Sequence, residues 1–486
     1  VNEADSTAQQ PRETSLRFQV LIVAGSNIFR VLALMVTGMA LSRIFTKDQM
    51  GHYQALWLIY LFVTTLLLNG FCGAPLYFVR NLEAAQRGRF HFWLNSVMLL
   101  FGVLLGGALF FFPGVFAWIF GFPDLAEPVR YFGIHTFLMV SVLHFTQVEI
   151  AEQRPLSNAA FTVFYGASQM LGSIIPAQMG LGVKGVSIWL CWAVLPLWMW
   201  ASWRLWRITS YAKHSEDRTI LRSMMKYSIN LSLAAAVQYL MTNVTFWAVG
   251  LRYSAAKLAE FRFGGTELPV TPIFARSLIA VVLPRLAELR MAGSEAEMME
   301  LWHKSLRRLW FAVFPTFMLT ELLAVEIVTT LFSSKYTESA QYLYIFAFLL
   351  PTRALVYTEL LLALGESRSV MRIWTSGAVL FAITLTALLL WYGPAGAAVA
   401  NVAVTYVIHI WLQAQCARGL GIAFWQVLPL REMGVLTLAG LLCAPLAILG
   451  TQLTSDCYPI VRLLTGGGLY CLGYGILSLV FKLHKR

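Results

Sequence analysis

The sequence predicts an all-α polytopic membrane protein of about fourteen transmembrane helices, two six-helix lobes in parallel pseudo-repeat plus a C-terminal helix pair. Three observations predict it. The 486-residue chain is 58% hydrophobic and only 12% charged, half of the roughly 25% found in soluble domains. Its apolar runs recur from end to end and reach the roughly 20 residues that a helix needs to cross a bilayer core. Its net charge of +12 gathers in alternate connections, as Lys and Arg do in cytoplasmic loops. This composition excludes a soluble enzyme, a nucleic-acid-binding protein and a secreted disulfide scaffold.

Lipid-facing backbone must satisfy its own hydrogen bonds, so each span is read as helix. The spans fall near 18–44, 52–79, 92–118, 130–150, 157–179, 183–203, 227–250, 265–284, 309–333, 339–364, 373–391, 395–415, 434–453 and 459–481. The connections at Gly180–Val183 and Tyr392–Pro394 are so short that the spans flanking each form tight helical hairpins. Residues 1–17 are polar and read as a cytoplasmic tail, and the first apolar run reads as a retained span rather than a cleaved leader.

With the N-terminus inside, the inner connections hold Arg80, Arg87 and Arg89, then Arg154, then Arg204, Arg207, Lys213, Arg218, Arg222 and Lys226. Further along lie Arg285, Arg290, Lys304, Arg307, Arg308, Arg368, Arg372, Arg418 and Arg431. The ends add Arg12, Arg17, Lys482, Lys485 and Arg486. About 24 basic residues inside against about 9 outside set both termini in the cytoplasm. In the stretch 285–308, Ser294-Glu295-Ala296-Glu297 ahead of Met298, Leu301 and Trp302 reads as a capped amphipathic helix on the inner membrane face.

The domain reading follows the polar stretch after the sixth span: an N-lobe at 18–207, a linker at 208–226, a C-lobe at 227–418, and a helix pair at 434–481. The second lobe partly repeats the first. Leu32 aligns with Leu240, Val36 with Val244, Thr37 with Thr245, Ala40 with Ala248, and Tyr53 with Phe261.

Charges inside a bilayer are costly and mark cavities or partners. Ser26, Asn27, Arg30 and Thr37 share an arc of the first span at 100° per residue. Arg30 lies about twelve residues in, roughly 18 Å at 1.5 Å per residue, too deep to snorkel easily. The repeat sets Gln238 opposite Arg30, on a face with Thr242 and Thr245. Arg276 lies within the eighth span, and Arg353 within the tenth, after Pro351. A guanidinium stays ionised and grips phosphate oxygens in pairs, so Arg30, Arg276 and Arg353, with Asn27 and Gln238, are read as a cationic cavity for an anionic ligand. The bland alternative pairs the arginines with Glu267, Glu321, Glu326 or Glu359. Glu321 and Glu326 are candidates for ion coupling, or counter-charges for an arginine.

The remaining signals are structural. His135 and His144 are too far apart along one span to form a metal pair, and Cys72, Cys191, Cys416, Cys443, Cys457 and Cys471 are scattered without CxxC spacing. No metal site or cofactor is expected. Trp192, Trp198, Trp200, Trp203 and Trp206 read as an interfacial belt.

Five stretches, in order, resemble one family: Ala40-Leu41-Ser42-Arg43-Ile44-Phe45-Thr46-Lys47-Asp48-Gln49-Met50-Gly51-His52-Tyr53; Asn69-Gly70 to Pro75 with Arg80-Asn81; Val282-Leu283-Pro284-Arg285-Leu286-Ala287-Glu288; Leu331-Phe332-Ser333-Ser334-Lys335-Tyr336; and Gly393-Pro394-Ala395-Gly396-Ala397-Ala398. The ordered set, over about residues 15–420, resembles the Wzx-type polysaccharide flippases of the multidrug/oligosaccharidyl-lipid/polysaccharide (MOP) superfamily. The chain departs from that pattern at Asn243, where the family often has Asp, at Glu260, near a usual Gly, and in exceeding the twelve spans of many members.

The resemblance implies two lobes around a cationic cavity that opens alternately to either side of a bacterial cytoplasmic membrane. The implied cargo is a polyprenyl-diphosphate-linked oligosaccharide for O-antigen, exopolysaccharide or capsule. The implied partners are that substrate, membrane lipids, a polysaccharide polymerase and a chain-length regulator, with no nucleic acid. Arg30 falls where a related flippase of a lipid-linked peptidoglycan precursor carries a cavity arginine. Two rivals stand beside this reading. A drug/cation antiporter of the same fold commonly uses a first-span acid, whereas this first span carries Arg30. A membrane polymerase or ligase usually needs a long outer loop, and the outer loops here reach about 15 residues, typical of plain connections.

Overall fold

The structure is a computed structural model and describes residues 11–209, 219–266 and 270–480. Most of the 1–17 tail, Lys213 and Arg218 of the linker, Glu267, and the terminal Lys482, Lys485 and Arg486 lie outside those residues. The described chain is helical and contains no strand, and it divides into two compact units, Val1–Ala259 and Glu260–Arg486.

The first unit contains α1 (Pro11–Ile44), α2 (Lys47–Asn69), α3 (Ala74–Asn81), α4 (Ala84–Phe111), α5 (Pro113–Phe120), α6 (Ala126–Ser141), α7 (Phe145–Ala151), α8 (Pro155–Gln178), α9 (Gly182–Thr209) and α10 (Thr219–Arg252). The unit boundary falls within α11 (Ala255–Gly264). The second unit continues with α12 (Val270–Met291), α13 (Glu295–Leu322), α14 (Ala324–Phe332), α15 (Ala340–Ala347), α16 (Tyr357–Ala363), α17 (Ser367–Leu420), α18 (Leu430–Leu453) and α19 (Pro459–Val480).

Among the described residues, every span read from the sequence falls mainly on helix, although several are broken by short turns. Among the described residues, nine helices are long and apolar enough to cross a membrane, or ten if the bent pair α13–α14 is one span. The smaller number has local causes. The 54-residue α17 holds two spans, folded back at Gly393, whose φ of 65° and ψ of −149° suit glycine. Helices α8, α10 and α12 carry polar residues that lower their hydropathy, among them Asn158 and Gln169, Asn243, and Arg276 with Arg285.

The repeat is plain in the order of the elements. Both α1 and α10 are 34 residues long. Both α4 and α13 are 28 residues, and each breaks into a short helix, α5 of 8 residues or α14 of 9. The α13–α14 break bends by 80°. Each short helix leads through a 3-10 turn, Pro123–Leu125 or Ser334–Ser339, into a span that is itself interrupted, α6 then α7 or α15 then α16. Interrupted helices in matching positions of two halves are a feature of transporter binding regions.

The motif around Thr46 has a local physical role. Thr46 Oγ1 accepts from the Gln49 N–H at 3.2 Å, and Gln49 Oε1 accepts from the Thr46 N–H at 3.1 Å, a reciprocal cap on α2. Asp48 Oδ1 accepts from the Ala256 N–H at 3.2 Å, so the start of α2 also caps the start of α11. In the first unit α1 packs along α8, α4 along α6, and α10 along α2. The α4–α6 crossing depends on bare glycines: a Cβ on Gly133 would lie 2.7 Å from the Gly106 carbonyl oxygen. Such small-residue contacts let helices approach closely in a membrane.

The amphipathic helix expected after Ser294 is not a separate element. It forms the first turns of α13, which runs unbroken into the ninth span. Trp302 is buried there and donates to the Val427 carbonyl at 2.9 Å, which ties the start of α13 to the turn before α18.

Candidate functional site

The polar residues of α1 do not all share one environment. Ser26 and Thr37 are buried, with Ala33 and Leu41, on one stripe. Their hydroxyls donate to Val23 at 2.8 Å and Ala33 at 2.7 Å. Asn27 is exposed, and its amide donates to Val23 at 3.0 Å. Arg30 is half-buried at the edge of the stripe. Gly166 on α8 makes room for it: a Cβ there would sit 3.2 Å from the Arg30 Cα.

Around Arg30 the first unit assembles a set of neutral hydrogen-bonding groups. The Tyr60 and Tyr165 hydroxyls lie 3.5 Å apart, and the Gln169 amide donates to Tyr165 at 2.5 Å. Arg30 is within electrostatic reach of both hydroxyls. Further along, the Tyr53 and Ser173 hydroxyls lie 3.3 Å apart. Tyr165, Gln169 and Ser173 therefore form one i, i+4, i+8 stripe on α8, facing Tyr53 and Tyr60 of α2. No carboxylate pairs with Arg30 among the described residues. The fully buried His135 joins this cluster, its ring 5.5 Å from Tyr60 and stacked on Phe132 at 5.0 Å. His144 is engaged elsewhere, with Nε2 2.6 Å from Asn95 Oδ1.

A guanidinium within electrostatic reach of two phenols can hold phosphate oxygens by charge-assisted bonds, with the phenols as neutral partners for sugar hydroxyls. The tyrosine and glutamine partners were not singled out from the sequence, although the spacing of Tyr165, Gln169 and Ser173 would have shown them as a polar stripe.

The other candidates lie at separate places. Gln238 and Arg276 belong to the backbones of α10 and α12, and their side chains fall outside what is described. Beside Gln238, Tyr239 donates to the Leu58 carbonyl at 3.1 Å. Asn243 donates to Thr242 Oγ1 at 2.9 Å. Arg353 is not inside a continuous helix: it lies in the 3-10 turn Pro351–Ala354 that interrupts the tenth span, exposed and within electrostatic reach of His409. Glu326 is buried and paired with Arg462 of α19 at 2.6 Å, while Glu321 has a buried Oε1 without a hydrogen-bond partner.

Residues 40–341, more than half of the chain, match a family described as polysaccharide biosynthesis protein. The chain belongs to that family. No curated protein matches it. Among solved structures it is similar to the lipid II flippase MurJ in an inward closed conformation, at 14% identity and a TM-score of 0.74, over 95% of this chain and 100% of that one. A multidrug resistance MATE family transporter of the MOP superfamily, inward-facing, matches at 13% identity and a TM-score of 0.63, over 80% of this chain and 95% of that one. A MOP superfamily transporter from Pyrococcus furiosus, whose binding pocket is described as having reversed polarity, matches at 14% identity and a TM-score of 0.53, over 83% and 94%. The family match bears out the reading as a polysaccharide biosynthesis protein, and the solved structures show that the chain shares their fold. The chain is a multi-pass membrane protein of this polysaccharide biosynthesis family, with a transporter fold.

Proposed function

We propose that the protein is a flippase that moves a polyprenyl-diphosphate-linked oligosaccharide across a bacterial cytoplasmic membrane by alternating access, for surface polysaccharide assembly. The carrying observation is Arg30: a guanidinium deep in the first span, within electrostatic reach of the Tyr60 and Tyr165 hydroxyls, with no carboxylate paired to it among the described residues. Such a group attracts a diphosphate and repels the cationic cargo of a drug antiporter. Arg276 and Arg353, in the second half of the chain, and Asn27 and Gln238 are further candidate anion-binding residues in this reading. Glu321 is assigned to ion coupling. Glu326, already paired with Arg462, takes the lesser part in it. In this reading the chain breaks no covalent bond, both termini are cytoplasmic, and the product passes to a polymerase and its chain-length regulator on the outer side.

The test is complementation of a strain lacking its own flippase. Arg30→Ala and Arg276→Ala, at wild-type membrane levels, should each abolish surface polysaccharide. Full restoration by both variants overturns the anion-site reading. A purified-protein assay with labelled lipid-linked sugar then separates flipping from later steps.

A further inference from the structure

The first unit contains a second cationic feature, away from Arg30. A cavity of about 430 Å³ is lined by Arg87, Arg154, Arg204 and Arg207, against one carboxylate, Glu152. Three helices supply the arginines: Arg87 from the start of α4, Arg154 from the cap of α8, and Arg204 with Arg207 from the end of α9. The Glu152 carboxylate is occupied by His91, 3.0 Å from its Nε2, so the cavity keeps a positive excess.

Two of the arginines are held in place before any ligand arrives. Glu149, fully buried, accepts from Arg204 Nε at 3.0 Å and from Nη2 at 3.1 Å. A guanidinium has five N–H donors, so Arg204 keeps donors to spare. Arg207 lies over the Trp203 ring at 4.9 Å. Trp203 and Trp206 are 50% and 67% exposed on the same helix end, where tryptophans mark the boundary between lipid and water. The distribution of Lys and Arg directs this end toward the cytoplasm, where the leaflet carries anionic lipid.

We infer that this cavity binds the phosphate of an anionic phospholipid headgroup at the inner face of the membrane. Basic pockets between helices on the cytoplasmic side take such headgroups. Arg204 and Arg207 supply preset charge-assisted contacts, the exposed Arg154 closes around the phosphate, and the face of Trp203 not covered by Arg207 lies against the glycerol and upper acyl region. Inorganic phosphate shares the charged part of this chemistry, and the test separates the two.

The experiment uses the full chain in detergent, with lipid retention read by native mass spectrometry. Phosphatidylglycerol and phosphatidylcholine of identical acyl chains are the probes. Wild type should retain phosphatidylglycerol over phosphatidylcholine. Arg154→Gln/Arg207→Gln should weaken that retention by about thirtyfold, while Arg418→Gln/Arg431→Gln, of equal net charge, should leave it unchanged. Arg87→Gln carries the same test from a third corner if the double variant does not fold. Equal retention of the two lipids by wild type, or wild-type retention by the Arg154/Arg207 and Arg87 variants, overturns the site. Complete displacement of the lipid by millimolar inorganic phosphate overturns the lipid assignment in favour of the free anion.

Discussion

Glu149 and Arg204 form a two-pronged ion pair in which the acid is fully buried and the base is 30% exposed. The asymmetry predicts which half of the pair matters more. Removing Arg204 strands a carboxylate with no water; removing Glu149 leaves a guanidinium that can still hydrate. Arg204→Ala should therefore destabilise the protein by about 3–5 kcal/mol, and Glu149→Ala by less. Thermal unfolding of the two variants in the same detergent checks the order, and a lower midpoint for Glu149→Ala contradicts it.

At Arg30 the shape of the charge should matter as well as its sign. A lysine keeps one positive point but loses the planar fork that grips two oxygens. Arg30→Lys should restore surface polysaccharide only partly, at a level between wild type and Arg30→Ala. Tyr165→Phe removes one hydroxyl beside Arg30 and should lower transport without changing membrane levels. Wild-type transport by both variants would detach this cluster from the substrate.

The α4–α6 crossing gives a steric prediction. At Gly133 a new Cβ would meet the Gly106 carbonyl oxygen at 2.7 Å and Phe110 N at 2.8 Å. Backbone cannot move aside cheaply, so Gly133→Ala should cost about 1–3 kcal/mol. At Gly107, on the same helix as Gly106, the nearest atom is Phe111 Cδ2 at 3.9 Å. Gly107→Ala should be neutral or stabilising by up to about 1 kcal/mol through helix propensity. Unfolding midpoints of the two variants decide it.

Glu152 predicts a dependence on pH. The hydrogen bond from His91 holds its carboxyl below the ordinary value of 4.5, with Arg154 and Arg87 adding to the effect. The folded state then binds its proton less readily than the unfolded chain. The resulting stabilisation is complete above about pH 4.5 and is lost as pH falls through the lowered folded value. Glu152→Gln should show a flatter loss of stability over that acid range than wild type. Parallel acid-unfolding curves for the two proteins would contradict the assignment.

The sequence was most legible where the physics is local. Span positions follow from apolar length and the return near Gly393 from the shortness of the Tyr392–Pro394 connection, whereas the cap that Thr46 and Gln49 make on α2 is a local role that only the structure showed. Where the sequence suggests one apolar run across the tenth span, the chain breaks at Pro351–Ala354 and sets Arg353 on the break. Proline hinted at this, but a kinked helix and an interrupted one look alike in composition. The same limit applies to the 80° bend between Leu322 and Ala324, where no proline stands.

By itself the sequence determined that this chain crosses a membrane many times, that its two halves repeat, and that Arg30 lies deep in the first span. Tertiary structure alone decided which side chains meet. It joined Glu326 to Arg462, brought Tyr60 and Tyr165 to Arg30, and gathered Arg87, Arg154, Arg204 and Arg207 around one cavity. The reason is range: hydropathy, caps and turns act over a few residues and leave their mark there, whereas an ion pair between groups more than a hundred positions apart depends on how whole helices pack.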